Sequence, residues 1–127
     1  MNWVPHFLSL LRFMTGLLFL QHGTTKLLSV PPSEMSGGGI SFTLGGVSGL
    51  FELIGGALLV VGLFTRPVAF ILSGMMAVAY FMVHAPQNFF PILNGGELAV
   101  LYCFVFLFLF VAGGGSWSLD RLIRKTA

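Results

Sequence analysis

Residues 45–64 read Gly45-Gly46-Val47-Ser48-Gly49-Leu50-Phe51-Glu52-Leu53-Ile54-Gly55-Gly56-Ala57-Leu58-Leu59-Val60-Val61-Gly62-Leu63-Phe64. Twenty residues of helix rise about 30 Å, the thickness of the hydrocarbon core of a bilayer. The stretch is apolar almost throughout and carries one acid, Glu52. A charged side chain at the middle of a membrane helix costs about 2.5–3.5 kcal/mol even on a lenient insertion scale. The glycines between Gly45 and Gly56 let neighbouring helices come close, so Glu52 is expected to face protein rather than lipid. Whatever holds that carboxylate is the first candidate for a functional site.

The rest of the chain is built the same way. Of its 127 residues, 56% are hydrophobic and 8% charged, and the mean hydropathy is +0.95. A soluble domain carries about 25% charged residues, so composition alone points to a membrane protein. At about 20 residues per crossing, the length allows at most four or five spans in a single domain, residues 1–127. The net charge of +2 sits mainly in Arg121, Arg124 and Lys125. It is too small for a nucleic-acid footprint and reads as a topology signal. Cys103 is the only cysteine, which excludes an intrachain disulfide or a Cys-x-x-Cys redox pair. Any electron carrier must come from outside the chain.

The first span is expected at about residues 7–28. It does not read as a cleavable signal peptide, because no basic residue precedes the apolar run and no small-x-small site follows it. Trp3 suits an interfacial anchor. The Pro- and Gly-rich residues 29–43 form a loop, and the second span follows at 45–64. The Thr65-Arg66-Pro67 turn leads into a third span over 67–84, with Pro67 in its first turn. Residues 87–94 are a second loop, and Gly95-Gly96-Glu97 opens a fourth span over 95–112. Gly113-Gly114-Gly115 ends it, and residues 116–127 make a short basic tail with a surface helix from Leu119. Phe104 to Phe110 alternate at a strand-like period, but inside an apolar span this reads as aromatics on several sides of a helix. The expected fold is therefore all-α: a polytopic four-helix bundle, arranged as two tandem helical hairpins. The Arg66 turn and the basic tail share one side, and the longer loops carry no Lys or Arg, which places both termini in the cytoplasm.

That topology brings polar residues together. Gln21, His22, Lys26 and His84 fall near the outer ends of the first and third spans, and Glu52 and Glu97 in the outer halves of the second and fourth. Arg12 lies nearer the cytoplasmic end, free to snorkel or to turn into the bundle. Two cations, Arg12 and Lys26, balance two anions, Glu52 and Glu97, and pairing is what makes such burial tolerable. Glu52 with His22 and Lys26 is the expected core of a proton-accepting, hydrogen-bonding pocket; the competing reading is an ion pair that fixes helix packing. Glu97 with His84 would stand beside it. Tyr80 and Tyr102 could donate to the cluster or serve as interfacial belt residues. His22 and His84 alone are a weak signal for haem, no metal site is evident, and Cys103 reads as a small core residue.

Three stretches carry a family resemblance. Leu11-Arg12 with Gly16-Leu17-Leu18-Phe19-Leu20-Gln21-His22-Gly23 and Lys26-Leu27 is the first. Gly49-Leu50-Phe51-Glu52-Leu53-Ile54-Gly55-Gly56 with Gly62-Leu63-Phe64-Thr65-Arg66 is the second, and Asn94-Gly95-Gly96-Glu97-Leu98-Ala99 with Ser118-Leu119-Asp120 the third. Together they resemble the DoxX family of small bacterial and archaeal membrane proteins. The resemblance implies a four-helix protein of the cytoplasmic (inner) membrane and a redox-associated role, since the namesake belongs to quinone-linked oxidation systems.

The expectation is then a membrane component of a redox or oxidative-stress assembly that binds a quinone or similar lipid headgroup. It would be at most a subunit of a quinone-linked oxidoreductase, with a redox-enzyme partner or further copies of itself, because no redox centre of its own is evident. Two other classes stay open: a small proton- or solute-binding carrier acting as an oligomer, and a structural adaptor whose charges only lock the bundle.

Overall fold

The computed structural model describes residues 2–28 and 44–124. The first loop and the last residues of the basic tail, Lys125 among them, lie outside these. All regular elements among the described residues are helical: α1 (Val4–Leu28), α2 (Leu44–Val61), α3 (Thr65–Ala79), α4 (Pro91–Asn94), α5 (Glu97–Ala112) and α6 (Leu119–Arg124). A π-helical turn, Tyr80–His84, continues α3. Helix α1 packs along α2, and α3 along α5, which makes two hairpins. They meet at two looser seams, α2 with α3 and α1 with α5.

Local chemistry sets the boundaries. Helix α2 stops three residues before Phe64 because Gly62 (φ 74°) and Phe64 (φ 53°) both adopt the left-handed region. Glycine enters it freely; for phenylalanine it costs on the order of 1–2 kcal/mol. Something must hold Phe64 there, and the tail does so. The second loop contains a turn of helix, since Phe90 is extended before Pro91 and Gly95 (φ 74°) closes α4. Helix α5 therefore begins at Glu97 rather than at Gly95. It buries Phe106 and exposes Phe104, Phe108 and Phe110, so the alternating phenylalanines lie on different sides of a helix.

Hairpin α1/α2 is tied by glycine. A Cβ at Gly23 would stand 2.5 Å from the amide nitrogen of Leu53, and one at Gly56 would stand 2.7 Å from Cα of Leu20. A Cβ at Gly16 would meet Leu59 and Val60 at 2.9 Å. The backbones thus touch from Gly16 to Gly23 on α1 and from Leu53 to Val60 on α2, the close approach that small residues allow between membrane helices.

The interior is inverted relative to a water-soluble fold. Phe19, Leu59, Ala69, Leu72, Phe106 and Leu109 form the centre of a small core, but Arg12, Glu52 and Asp120 are buried too, with several serines and threonines. Large apolar side chains instead point outward, Phe81 and Val111 at 70% and 69% exposure among them. Such a surface would aggregate in water and is at ease in lipid. Val4–Thr25 and Thr65–Met82 are long and apolar enough to cross a membrane, and Val47–Val61 and Glu97–Ala112 are shorter apolar helices.

Candidate functional site

Glu52 lies on the α1-facing side of α2, where a Cβ on Gly23 would touch the Glu52–Leu53 backbone, and is 3% exposed. Across the bundle stands Tyr102 of α5, near enough for the Glu52 carboxylate to act on it electrostatically. The Tyr102 ring meets the His22 ring edge-on, with centroids 6.0 Å apart and planes at 86°. Phe19 packs edge-on against both Tyr102 (5.2 Å) and Phe106 (5.1 Å), and Tyr102 stacks parallel to Phe106 at 5.6 Å. An acid, a phenol and an imidazole thus converge from three helices on an aromatic wall.

His22 is held in one orientation. Its Nδ1 lies 3.0 Å from the Leu18 carbonyl, one turn back on α1. A carbonyl oxygen only accepts, so Nδ1 carries the proton and Nε2 faces away from the helix. His22 is half-buried, the most accessible of the three groups.

Other predicted residues lie elsewhere. Gln21 and Glu97 are exposed, Glu97 in the first turn of α5. His84 ends the π-helical turn, its ring 6.3 Å from that of Tyr80, and its Nδ1 would be 3.9 Å from a Cβ on Gly95. The Lys26 side chain lies outside the described part of α1. Among the described residues no group of three His, Cys, Asp or Glu side chains is placed to hold a metal ion. Cys103 sits beside Ser73, whose hydroxyl donates to the Cys103 carbonyl at 2.9 Å.

Arg12 neither snorkels nor joins Glu52. It is 3% exposed, and ten residues of helix, about 15 Å, separate it from His22. Its Nε donates to the Leu59 carbonyl (2.8 Å), and its two terminal nitrogens reach Val60 (3.4 Å), Gly114 and Trp117 (3.1 Å). Leu59 and Val60 lie in the last turn of α2, where carbonyls lack helical partners and a cation is favoured. Arg66 does the same for α5, donating to the Phe110 (3.2 Å) and Val111 (2.6 Å) carbonyls.

Asp120 completes this end. Its carboxylate accepts from the Phe64 and Thr65 N–H groups at 2.8 and 2.9 Å, capping the N-terminus of α3 from 55 residues away. Its own N–H donates to the Gly62 carbonyl (2.9 Å), so the left-handed turn is clasped from both sides. Ser9 ties the same tail to α1, donating to Gly114 and accepting from the Trp117 N–H (2.9 Å). Trp117 stacks on His6 (4.7 Å), which meets Trp3 at 5.8 Å. Sequence reasoning missed Ser9, His6 and the reach of Asp120. The one local signal was Ser118, a helix-capping residue before α6, and it points to no distant partner.

The DoxX family model matches residues 7–85, which hold Arg12, His22, Glu52 and His84. An uncharacterized protein of Haemophilus influenzae is 46% identical over 125 residues, 95% of this chain and 93% of that one. A second uncharacterized protein from the same organism is 38% identical over 74 residues, 58% of this chain and 49% of its own length. No solved structure matches. With the family model covering well over half of the sequence, and one relative alike along nearly all of it, this is a membrane protein of the DoxX family.

Proposed function

We propose that the chain crosses the cytoplasmic membrane four times with both termini inside, and that Glu52, His22 and Tyr102 bind the polar headgroup of a quinone or similar lipid within a redox-linked assembly. The observation that carries this reading is the burial of Glu52. Arg12 and Asp120 are buried at helix ends, where backbone groups need charge. Glu52 lies mid-helix, where no backbone group does. An ionisable residue kept at such a place is a functional hypothesis by default. Its neighbours suit a headgroup: the Tyr102 hydroxyl can donate or accept, and His22 is half-buried rather than sealed.

Four spans fit the dimensions. Helix α3 with its π-helical turn covers residues 65–84, about 30 Å, and the 18 residues of α2 rise about 27 Å. Inward-facing Arg66 and Arg121 supply the positive side. The adaptor reading draws on a specific observation too: Arg12 and Asp120 do lock the bundle, and Glu52 could be a third lock.

Mass spectrometry of organic extracts from protein purified in mild detergent separates the two. With Glu52 as a ligand, wild type retains close to one headgroup lipid per chain, and Glu52→Gln folds but loses it. If nothing specific co-purifies and Glu52→Gln merely melts earlier, Glu52 is scaffolding. Proton-coupled uptake into proteoliposomes would point to the carrier reading instead.

A further inference from the structure

Resting on the proposed membrane crossing but not on the Glu52 site, we infer that one anionic phospholipid of the cytoplasmic leaflet binds along α2, its phosphate at Arg121 and an acyl chain between α2 and α3. Two cavities carry the argument. A groove of about 300 Å³ runs between α2 and α3, from Val47 to Leu58 on one side and from Val68 to Leu72 on the other. Every residue that lines it is apolar, and Phe51, Ile54 and Ile71 at its rim are exposed. Val47 to Leu58 rises about 16 Å, close to one leaflet's share of a hydrocarbon core about 30 Å thick. The second cavity, of about 580 Å³, lies where the tail meets the end of α2. Its lining joins Val61, Leu119 and Leu122 to Ser116, Trp117 and Arg121. Val61 stands three residues beyond Leu58, so the two cavities open on neighbouring turns of one face of α2.

Charge decides the occupant. Arg121 is exposed, and among the described residues no hydrogen bond or ion pair engages its guanidinium. Asp120, the one acid of the tail, commits both carboxylate oxygens to the Phe64 and Thr65 amides. Helices α1 and α3 hold no acid at all. A second copy in the same orientation would bring only the same committed Asp120 to this end, so it fills the groove without answering the cation. A phosphate does answer it, since a guanidinium engages two phosphate oxygens at once. The surroundings suit that depth. Trp117 is 57% exposed, as befits an aromatic at the membrane interface, and Leu122 and Ile123 next to Arg121 are exposed apolar side chains that lipid accommodates better than water. A phospholipid joins an anion to an apolar chain, and the two cavities present their partners in that order.

The test is native mass spectrometry of delipidated protein in mild detergent, titrated with dioleoyl phosphatidylglycerol and with dioleoyl phosphatidylethanolamine. One arginine facing an anionic headgroup corresponds to about fivefold in affinity, so wild type should hold one phosphatidylglycerol about fivefold more tightly. Arg121→Gln should bring the ratio close to one while both lipids still bind, because the groove is untouched. Ile71→Trp fills the groove and should weaken both lipids severalfold at an unchanged ratio; if that variant melts early, Ile54→Trp fills the groove from the opposite rim. Equal binding of the two lipids by wild type overturns the inference, as does a preference that survives Arg121→Gln. Uptake of neither lipid overturns it too, and a wild-type dimer in that case would put a second copy in the groove. Glu52→Gln should leave the ratio as it is, so this inference and the Glu52 headgroup reading fail separately.

Discussion

Arg12 and Asp120 stand at the same end of the bundle, and each is bonded chiefly to backbone. Arg12 answers the carbonyls at the end of α2, and Asp120 answers the amides at the start of α3. Removing either acceptors or donors strands buried polar groups, which is costlier than losing a bond in water. Asp120→Ala leaves two amides unanswered and should lower stability by about 2–3 kcal/mol, whereas Asp120→Asn keeps one acceptor and should cost about 1–2 kcal/mol. Thermal unfolding in detergent reads the difference; equal melting of all three proteins would show that the clasp is ornamental. Arg12 was conspicuous in the sequence as a cation inside an apolar helix, but its acceptors were not. They are main-chain carbonyls some 47 to 105 residues away, and backbone groups leave no mark in a sequence. Asp120 was hidden for the opposite reason: one acid in a basic tail looks like an ordinary surface residue.

At the scale of elements, the glycines of hairpin α1/α2 decide how close two helices come. Gly23→Ala places a methyl group 2.5 Å from the Leu53 nitrogen, and rigid backbone cannot yield as a side chain can. The hairpin should splay, at a cost of about 1–3 kcal/mol, and Glu52 should become more reachable to water. Gly74→Ala is the control, because nothing lies within 4 Å of its added Cβ; on helix propensity alone it should be neutral or stabilising by up to about 1 kcal/mol. Comparable losses in both variants would mean that glycine spacing is irrelevant to the seam. Much of this level was legible. Apolar runs of bilayer length, broken by Pro and Gly, marked the four long helices. What escaped was the turn between α2 and α3, where Phe64 takes a conformation that its sequence neighbourhood disfavours and the distant tail enforces. The turn of helix at Pro91–Asn94 escaped as well, being too short for any periodicity to show.

For the whole molecule, the proposed topology sets Arg66, Arg121 and the helix-end charges on the cytoplasmic side, and that direction of insertion can be tested. In a Cys103→Ala background, a cysteine at Ser116 should react with a membrane-impermeant thiol reagent only when the cytoplasmic face is opened, and one at Phe89 from outside in intact cells. The same accessibility for both would refute the orientation. Composition and loop charge were enough to frame this prediction. The candidate site was legible only in part: Glu52 and His22 stood out as ionisable groups in apolar helices, while the part of Tyr102 depended on which face of α5 turns inward. That helix is apolar all round, so its inward face is chosen by packing rather than by pattern.

The clasp also has a direction in time. A ribosome delivers Arg12 early, Leu59 and Val60 next, and Gly114, Trp117 and Asp120 only after all the long helices have been made. Until then Arg12 lacks two of its four acceptors, and the amides of Phe64 and Thr65 lack their carboxylate. The nascent protein therefore carries an unfinished joint through the insertion machinery. Chains stalled or cut before Ser118 keep every long helix yet leave that joint open, because the carboxylate that closes it is the part still missing.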